Sequence, residues 1–240
     1  MKTQLLYRDL ARYYDLIYSQ KDYKKEVKCI RALIHRYKKS KGNKLLDIAC
    51  GTGRHLKYLK QWFSCIGVDL NEEILNVAKK NVTGVVFKKA DMITLHLNKK
   101  FDVITCLFSS IGYVKTRANL QKTLQNFADH LKSGGVVIIE PWITPSEYRG
   151  GSPHMETYDG DDIKIARLSV SNRKGNISII DMHYLIAEKN KNVAYFVDRH
   201  ELGLFEMNEM LECMSDAGFN VQFVKKGLAG NRGLYVGIKK

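Results

Sequence analysis

A chain of 240 residues that is 45% hydrophobic can bury one substantial core, or one core with a small appended lobe, and a single catalytic domain is the default expectation. No apolar run approaches bilayer length, the start Met1-Lys2-Thr3-Gln4-Leu5 lacks a signal-peptide block, and five cysteines without a CxxC pair indicate neither a disulfide framework nor a zinc site, so a cytoplasmic protein without metal or membrane is expected. The net charge of +14 calls either for an anionic partner, nucleic acid or a phosphate-bearing substrate, or for lysine-rich solvated faces; without interleaved aromatics the second reading is preferred and nucleic acid is disfavoured.

In chain order, residues 22–39 predict an amphipathic helix that could serve as a lid. Tyr23, Val27, Ile30, Ile34 and Tyr37 share one face, Lys24, Lys25, Lys28, Arg31, His35, Lys38 and Lys39 coat the other, and Gly42 ends the segment. Alternating units follow: strand 44–49, a helix from Arg54, strand 64–69, helix 72–81, strand 85–89 and strand 101–107. A helix carrying Leu120, Leu124, Phe127 and Leu131 is expected to stop at Gly134-Gly135, before strand 136–140. Between residues 141 and 205 the pattern changes to strand-like runs at 163–171, 177–188 and 193–204, separated by hairpin turns. A helix with Met207, Met210, Leu211 and Met214 and strands 221–225 and 233–238 close the chain. The fold class expected is α/β, a doubly wound, mostly parallel seven-stranded sheet, formed by residues 1–140 and 206–240, with a small antiparallel β insert over 141–205. The insert could cover the active site, pair with a second subunit in a homodimer, or be a structural embellishment.

The most informative stretch is Leu45-Leu46-Asp47-Ile48-Ala49-Cys50-Gly51-Thr52-Gly53-Arg54-His55, an apolar strand that meets a carboxylate and then a glycine-rich turn opening a helix. Gly51 permits a backbone angle closed to other residues, and Gly53 removes a Cβ that would hold a ligand off the main chain. Leu56 stands where a dinucleotide fingerprint needs Gly or Ala, which argues against NAD or FAD. Asp47 suits a ligand with a cationic amine better than a pyrophosphate, and S-adenosylmethionine, with S-adenosylhomocysteine as its product, carries such an ammonium. Asp69 ends the second strand where it could accept both ribose hydroxyls, and Asp91 ends the third near an adenine amine. Any one of these carboxylates could equally cap a helix; three behind a glycine turn favour the ligand. Ala49, Leu70 and Met92, their neighbours, are counted in the same cofactor site.

These residues resemble the class I S-adenosylmethionine-dependent methyltransferases. Thr105-Cys106-Leu107-Phe108-Ser109-Ser110-Ile111-Gly112, the run ending Glu140-Pro141-Trp142, His183-Tyr184-Leu185 and Asn231-Arg232-Gly233 look like the nucleotide-sugar N,N-dimethyltransferases that make dimethylamino sugars such as desosamine and mycaminose. The resemblance implies a nucleotide-linked aminosugar as small-molecule substrate, methylated twice. It implies that Ser109, Ser110 and Tyr113 border the acceptor, that Tyr14 and Tyr23 close over cofactor and acceptor, and that Arg232 faces the substrate's diphosphate. Tyr113, where some relatives have His, and Tyr14 are the catalytic candidates; Trp142 and Arg149 join the substrate side, with Arg173 and His183 as lesser candidates and Tyr7 as a weaker aromatic one. Tyr113 could instead pack on the insert, and Tyr23 could simply continue its helix stripe. The chain lacks the acidic or Asn residue followed by Pro-Pro-aromatic of enzymes that methylate nucleic-acid bases. A methyltransferase for another small amine, an RNA methyltransferase and a non-catalytic cofactor-binding domain are the alternatives.

Overall fold

The computed structural model describes residues 10–228 and 232–240. Tyr7 and Gly230, named above or neighbouring Arg232, lie outside the described residues, as does Asn231. Helix α1 (Ala11–Ile17) and helix α2 (Tyr23–Tyr37) precede β1 (Lys44–Ile48), α3 (Arg54–Leu59), β2 (Ser64–Asp69), α4 (Glu72–Asn81), β3 (Val86–Lys89) and β4 (Phe101–Cys106). A single helical turn, Ser110–Val114, leads to α5 (Arg117–His130) and β5 (Leu131–Ile139). Strands β6 (Pro153–Asp159), β7 (Ile163–Lys174), β8 (Ile177–Glu188) and β9 (Ala194–Gly203) come next, then α6 (Met207–Asp216), β10 (Phe219–Val224) and β11 (Leu234–Lys239).

The main sheet has seven strands in the order β10-β11-β5-β4-β1-β2-β3, all parallel except β11, which runs antiparallel to both neighbours. Its central strands are mostly apolar, as burial on both faces favours: β4 is buried along its whole length, and Leu45, Leu46, Val103 and Ile104 are 0% exposed. One face packs on α5 and α6 through Leu124, Phe127 and Met210, the other on α2 and α3 through Ile30, Leu56 and Leu59. The charge on α2 is solvated as its spacing requires, with Lys24, Lys25, Lys28 and Arg31 exposed and Val27 and Ile30 buried. No helix among the described residues is long and apolar enough to cross a membrane.

Two helix ends differ from expectation. Helix α2 finishes at Tyr37, with Lys38 extended, so Gly42 does not end it; Gly42 donates its N–H to Asp102 Oδ1 (3.1 Å). Helix α5 stops at His130, so Leu131 belongs to β5 and pairs with Phe101. His130 Nδ1 donates to the Asn126 carbonyl (2.7 Å) and its Nε2 accepts from Leu97 N–H (2.8 Å), a fixed arrangement that closes the last turn. Gly134 lies inside β5 at φ 73° in a bulge whose carbonyl accepts from Lys39 and Ser40 N–H, where a Cβ would stand 3.0 Å from Lys39 Cβ. The glycine pair serves a bulge rather than a helix stop.

The second sheet is an antiparallel meander, β6-β7-β8-β9. Residues 163–171, 177–188 and 193–204 fall on its last three strands, and β6 adds a fourth that the sequence pattern does not announce. It is tied to α1, where Arg12 Nη2 donates to Glu188 Oε1 (2.9 Å) and the Tyr13 hydroxyl donates to the same oxygen. Arg167 on β7 donates to the Tyr18 hydroxyl (2.8 Å) just beyond α1.

Candidate active site

A cleft of about 990 Å³, counting its open mouth, lies at the carboxyl ends of the parallel strands, where ligands bind in open α/β sheets. Ten of the residues singled out in the sequence line it: Tyr14, Tyr23, Ala49, Gly51, Asp69, Leu70, Asp91, Met92, Ser110 and Tyr113. The turn after β1 forms one wall. Gly51 sits at φ 55° with only Ile74 Cδ1 near its missing Cβ, at 3.9 Å, so its main chain is bare toward the cleft. Gly53, at φ 74° on the entry to α3, does a different job: a Cβ there would meet Phe87 and Val82 at 3.2 and 3.3 Å, so its bareness serves protein packing and not ligand contact.

Asp69 is held by the turn it faces, accepting from Gly51 N–H (3.0 Å) and Asn71 N–H (3.1 Å), and burial raises its pKa. Asp47 is 2% exposed behind the turn, outside the lining, and accepts from the Thr105 hydroxyl (2.7 Å). Burial pushes its carboxyl up to about 6, against the pull of His55 and Thr105. Asp91 Oδ1 accepts from Ile93 N–H (2.9 Å), so it caps a turn and lines the cleft at once. Two buried carboxylates that resist ionisation, beside an open glycine backbone, form an environment that a cationic ligand relieves and a pyrophosphate would worsen. The donor and acceptor set therefore fits S-adenosylmethionine.

Helices α1 and α2 contribute Tyr14 and Tyr23 to the lining. Asp15 accepts from Thr52 Oγ1 (2.7 Å) and Asn81 Nδ2 (2.8 Å), fastening α1 to the glycine turn and to α4. Buried Glu26 on α2 pairs with His55 Nε2 (2.7 Å) and with Lys21, and the Tyr23 ring meets His55 edge-on with centroids 5.0 Å apart. Asp15, Glu26, His55, Thr52, Asn71 and Phe108 are members of this region to which the sequence pattern assigns no role of their own. The polar Arg54-His55 pair opening a helix right after Gly53 is the one local signal for any of them.

In the loop after β4, Phe108 and Ser109 hold consecutive left-handed conformations, φ 52° and 62°. Such non-glycine conformations cost about 1–3 kcal/mol each and gather at functional sites. Phe108 N–H donates to Glu140 Oε2 (2.7 Å), and Ser109 Oγ donates to the Pro141 carbonyl (2.8 Å), which turns that side chain away from the cleft lining. Tyr113 lines the cleft, and its hydroxyl lies 2.6 Å from His200 Nδ1 on β9. Trp142 and Arg232 are brought together outside the lining: the guanidinium lies 5.4 Å from the indole centroid and 3.6 Å from Glu140 Oε1. Glu140 Oε1, Trp142 Nε1 and Arg232 Nε are buried without hydrogen-bond partners. Arg149 is exposed and spends its Nη1 on the Ser146 and Tyr148 carbonyls; Arg173 and His183 are also exposed, remote from the lining residues in their bonding.

Residues 45–135 match a family described as a methyltransferase domain. The dTDP-3-amino-3,4,6-trideoxy-alpha-D-glucopyranose N,N-dimethyltransferase of Streptomyces venezuelae is 36% identical over 233 residues, 96% of this chain and 98% of that protein. The dTDP-3-amino-3,6-dideoxy-alpha-D-glucopyranose N,N-dimethyltransferase of Streptomyces fradiae is 34% identical, over 96% of this chain and 91% of that protein. Among solved structures, Streptomyces venezuelae DesVI superposes with a TM-score of 0.90 at 35% identity, covering 97% of this chain and 99% of that one. CalS10 from Micromonospora echinaspora, an amino pentose methyltransferase solved with its methyl donor bound, gives 0.82 at 27% identity over 92% of each chain.

Proposed function

The chain belongs to the S-adenosylmethionine-dependent methyltransferases, in the branch of the dTDP-aminosugar N,N-dimethyltransferases, and on that premise we propose that it methylates the amino group of a nucleotide-linked aminosugar twice in succession. The observation that supports the reading is the union of the carboxylate-lined glycine turn with the loop Phe108 to Tyr113 in the lining of one cleft. When bound, S-adenosylmethionine supplies a methyl carbon on a positively charged sulfur, so the amine's lone pair forms the N–C bond as the C–S electrons return to sulfur.

The protein's part is placement, since a nucleophile held within roughly 3–3.5 Å and in line captures most of the available rate. Asp47, buried behind the turn, would act through its charge on the donor's ammonium end, Asp69 would face its ribose and Asp91 its adenine, with Ala49, Gly51, Leu70 and Met92 packing against it and Gly53 shaping the turn. Tyr14 and Tyr23 would shut water out from above. Ser110 and Tyr113 would border the sugar, with Ser109 anchoring their loop on the Pro141 carbonyl, and Arg232, steadied by Glu140 and Trp142, would offer its planar fork to phosphate oxygens, while Arg149, bound to local carbonyls, takes no part. In this reading residues 141–205 act as a lobe inserted into a catalytic body of residues 1–140 and 206–240. The five free cysteines, four of them buried, suit a reducing compartment, and the cytoplasm is the location proposed.

Incubation with dTDP-linked 3-amino and 4-amino sugars, followed by mass spectrometry, is expected to show one and then two methyl increments on an aminosugar and none on RNA or glycine. Cofactor binding without methylation of any aminosugar would overturn the proposal.

The lobe also carries an uncovered apolar face: Met155, Leu168, Val170, Leu185, Tyr195 and Val197 are 41–67% exposed on adjoining strands. A two-fold interface pairs one patch with its own copy, and a second copy of the chain is the occupant proposed. Light scattering should give a dimer for the wild type and a monomer for Leu168→Glu; a wild-type monomer at micromolar concentration would sink the assignment.

A further inference from the structure

Resting on the amine-methylation reading, we infer that His200 and Asp198 on β9 act as a buried proton relay behind Tyr113. The Tyr113 hydroxyl lies 2.6 Å from His200 Nδ1, and His200 Nε2 lies 2.9 Å from Asp198 Oδ2. His200 and Asp198 are 2% and 3% exposed, while Tyr113 lines the cleft beside Ser110. Both residues point to the same face of β9 because they are two positions apart in a strand. A carboxylate on Nε2 fixes that nitrogen as the N–H, which leaves Nδ1 as an acceptor and makes Tyr113 the donor to it. The chain of bonds therefore has a direction, from the cleft toward Asp198.

An amine-methylating enzyme has work for such a chain. A sugar amine arrives largely protonated at neutral pH, and after each N–C bond forms the nitrogen is again an ammonium, without a lone pair for the next transfer. In the relay that proton passes to Tyr113 Oη as the hydroxyl's own proton passes to His200 Nδ1. Tyr113 stays neutral, and the imidazolium is balanced by Asp198 until its proton returns to water as spent S-adenosylhomocysteine is exchanged for fresh donor, which frees the relay to take the second proton before the second transfer. The logic is that of a base oriented by a third group. The charged and titratable groups around His200 come from each packed element. The turn Ser110–Val114 gives Tyr113, and next along the chain from Val114 and from His200 stand Lys115 and Glu201, which pair with each other at 2.6 Å. From the far side Asp198 acts on Tyr18, beyond α1, and Tyr184 of β8, and Arg167 of β7 bonds Tyr18.

Tyr113 is assigned as the catalytic residue and His200 and Asp198 as positioning residues. Tyr113→Phe and His200→Gln are expected to lower kcat on the order of 100-fold at pH 7, as loss of a positioned base does. The loss should shrink as pH rises toward the amine's own pKa, product should accumulate at the monomethyl stage, and S-adenosylmethionine affinity should be unchanged. Independently of turnover, ¹⁵N NMR should find His200 as the neutral Nε2–H tautomer, shifting toward Nδ1–H in Asp198→Asn. A deficit in Tyr113→Phe that is the same at every pH, or an Nδ1–H tautomer in the wild type, overturns the relay while leaving the methyltransferase reading intact. A wild type that methylates no aminosugar overturns both.

Discussion

Asp69→Asn is expected to weaken S-adenosylmethionine binding by roughly 10- to 100-fold, and to weaken adenosine binding by the same factor. A charge-assisted hydrogen bond contributes about 1.5–3 kcal/mol, and each 1.4 kcal/mol is tenfold in affinity. The carboxylate already accepts from Gly51 and Asn71 N–H, one on each oxygen, and its remaining lone pairs are those available to ribose hydroxyls. An asparagine keeps one acceptor oxygen and turns an NH₂ toward the other backbone N–H, so the glycine turn itself loosens. Stability moves less, because the substitution also removes a buried charge whose burial raises its pKa. Isothermal calorimetry with both ligands, at a temperature where circular dichroism shows the variant folded, checks this. Equal adenosine affinity in variant and wild type would remove Asp69 from the ribose contact.

The parts of this fold that show in the sequence are those with a local cause. Strand β2 begins and ends at Ser64 and Asp69, where expected, because four buried apolar or glycine positions are bounded by polar ones. Helix α4 matches at both ends because Glu72 and Glu73 in its first turn and Lys79 and Lys80 in its last suit the helix dipole. Strand β6 escapes because it is an edge strand with Pro153 at its start and only Tyr158 half-buried, so it carries no apolar alternation to read. Helix α1, at seven residues, is too short to show a period, and it is held by partners as distant as Glu188. The site divides the same way. The glycine turn and the three aspartates announce themselves at strand ends, whereas Tyr113, His200 and Asp198 converge only once the second sheet folds over the acceptor loop, a separation of 87 residues for the first bond. The alternation of Asp198 and His200 with outward-facing residues was the one trace of it in the chain.

The largest pH effect is expected at Asp47. With its carboxyl pushed up to about 6 by burial, the folded protein holds a proton there that the unfolded chain, near 3.9, has already released. The penalty for ionising Asp47 is therefore absent below about pH 4, develops between about 4 and 6, and is complete above that window, on the order of 3 kcal/mol at 1.36 kcal/mol per unit. A cation brought close reverses the preference, so S-adenosylmethionine binding should release a proton near pH 6, and its affinity should fall as pH drops from 7 to 5. Asp47→Asn should abolish the proton release and flatten that pH dependence, with weaker binding at pH 7 and adenosine binding unaltered, since adenosine has no ammonium. Calorimetry at pH 6 in two buffers of different ionisation enthalpy counts the proton directly. No released proton, together with a pH-independent affinity in the wild type, would mean that the donor's ammonium is held by other groups, and the carboxylate's burial would then belong to the Thr105 contact alone.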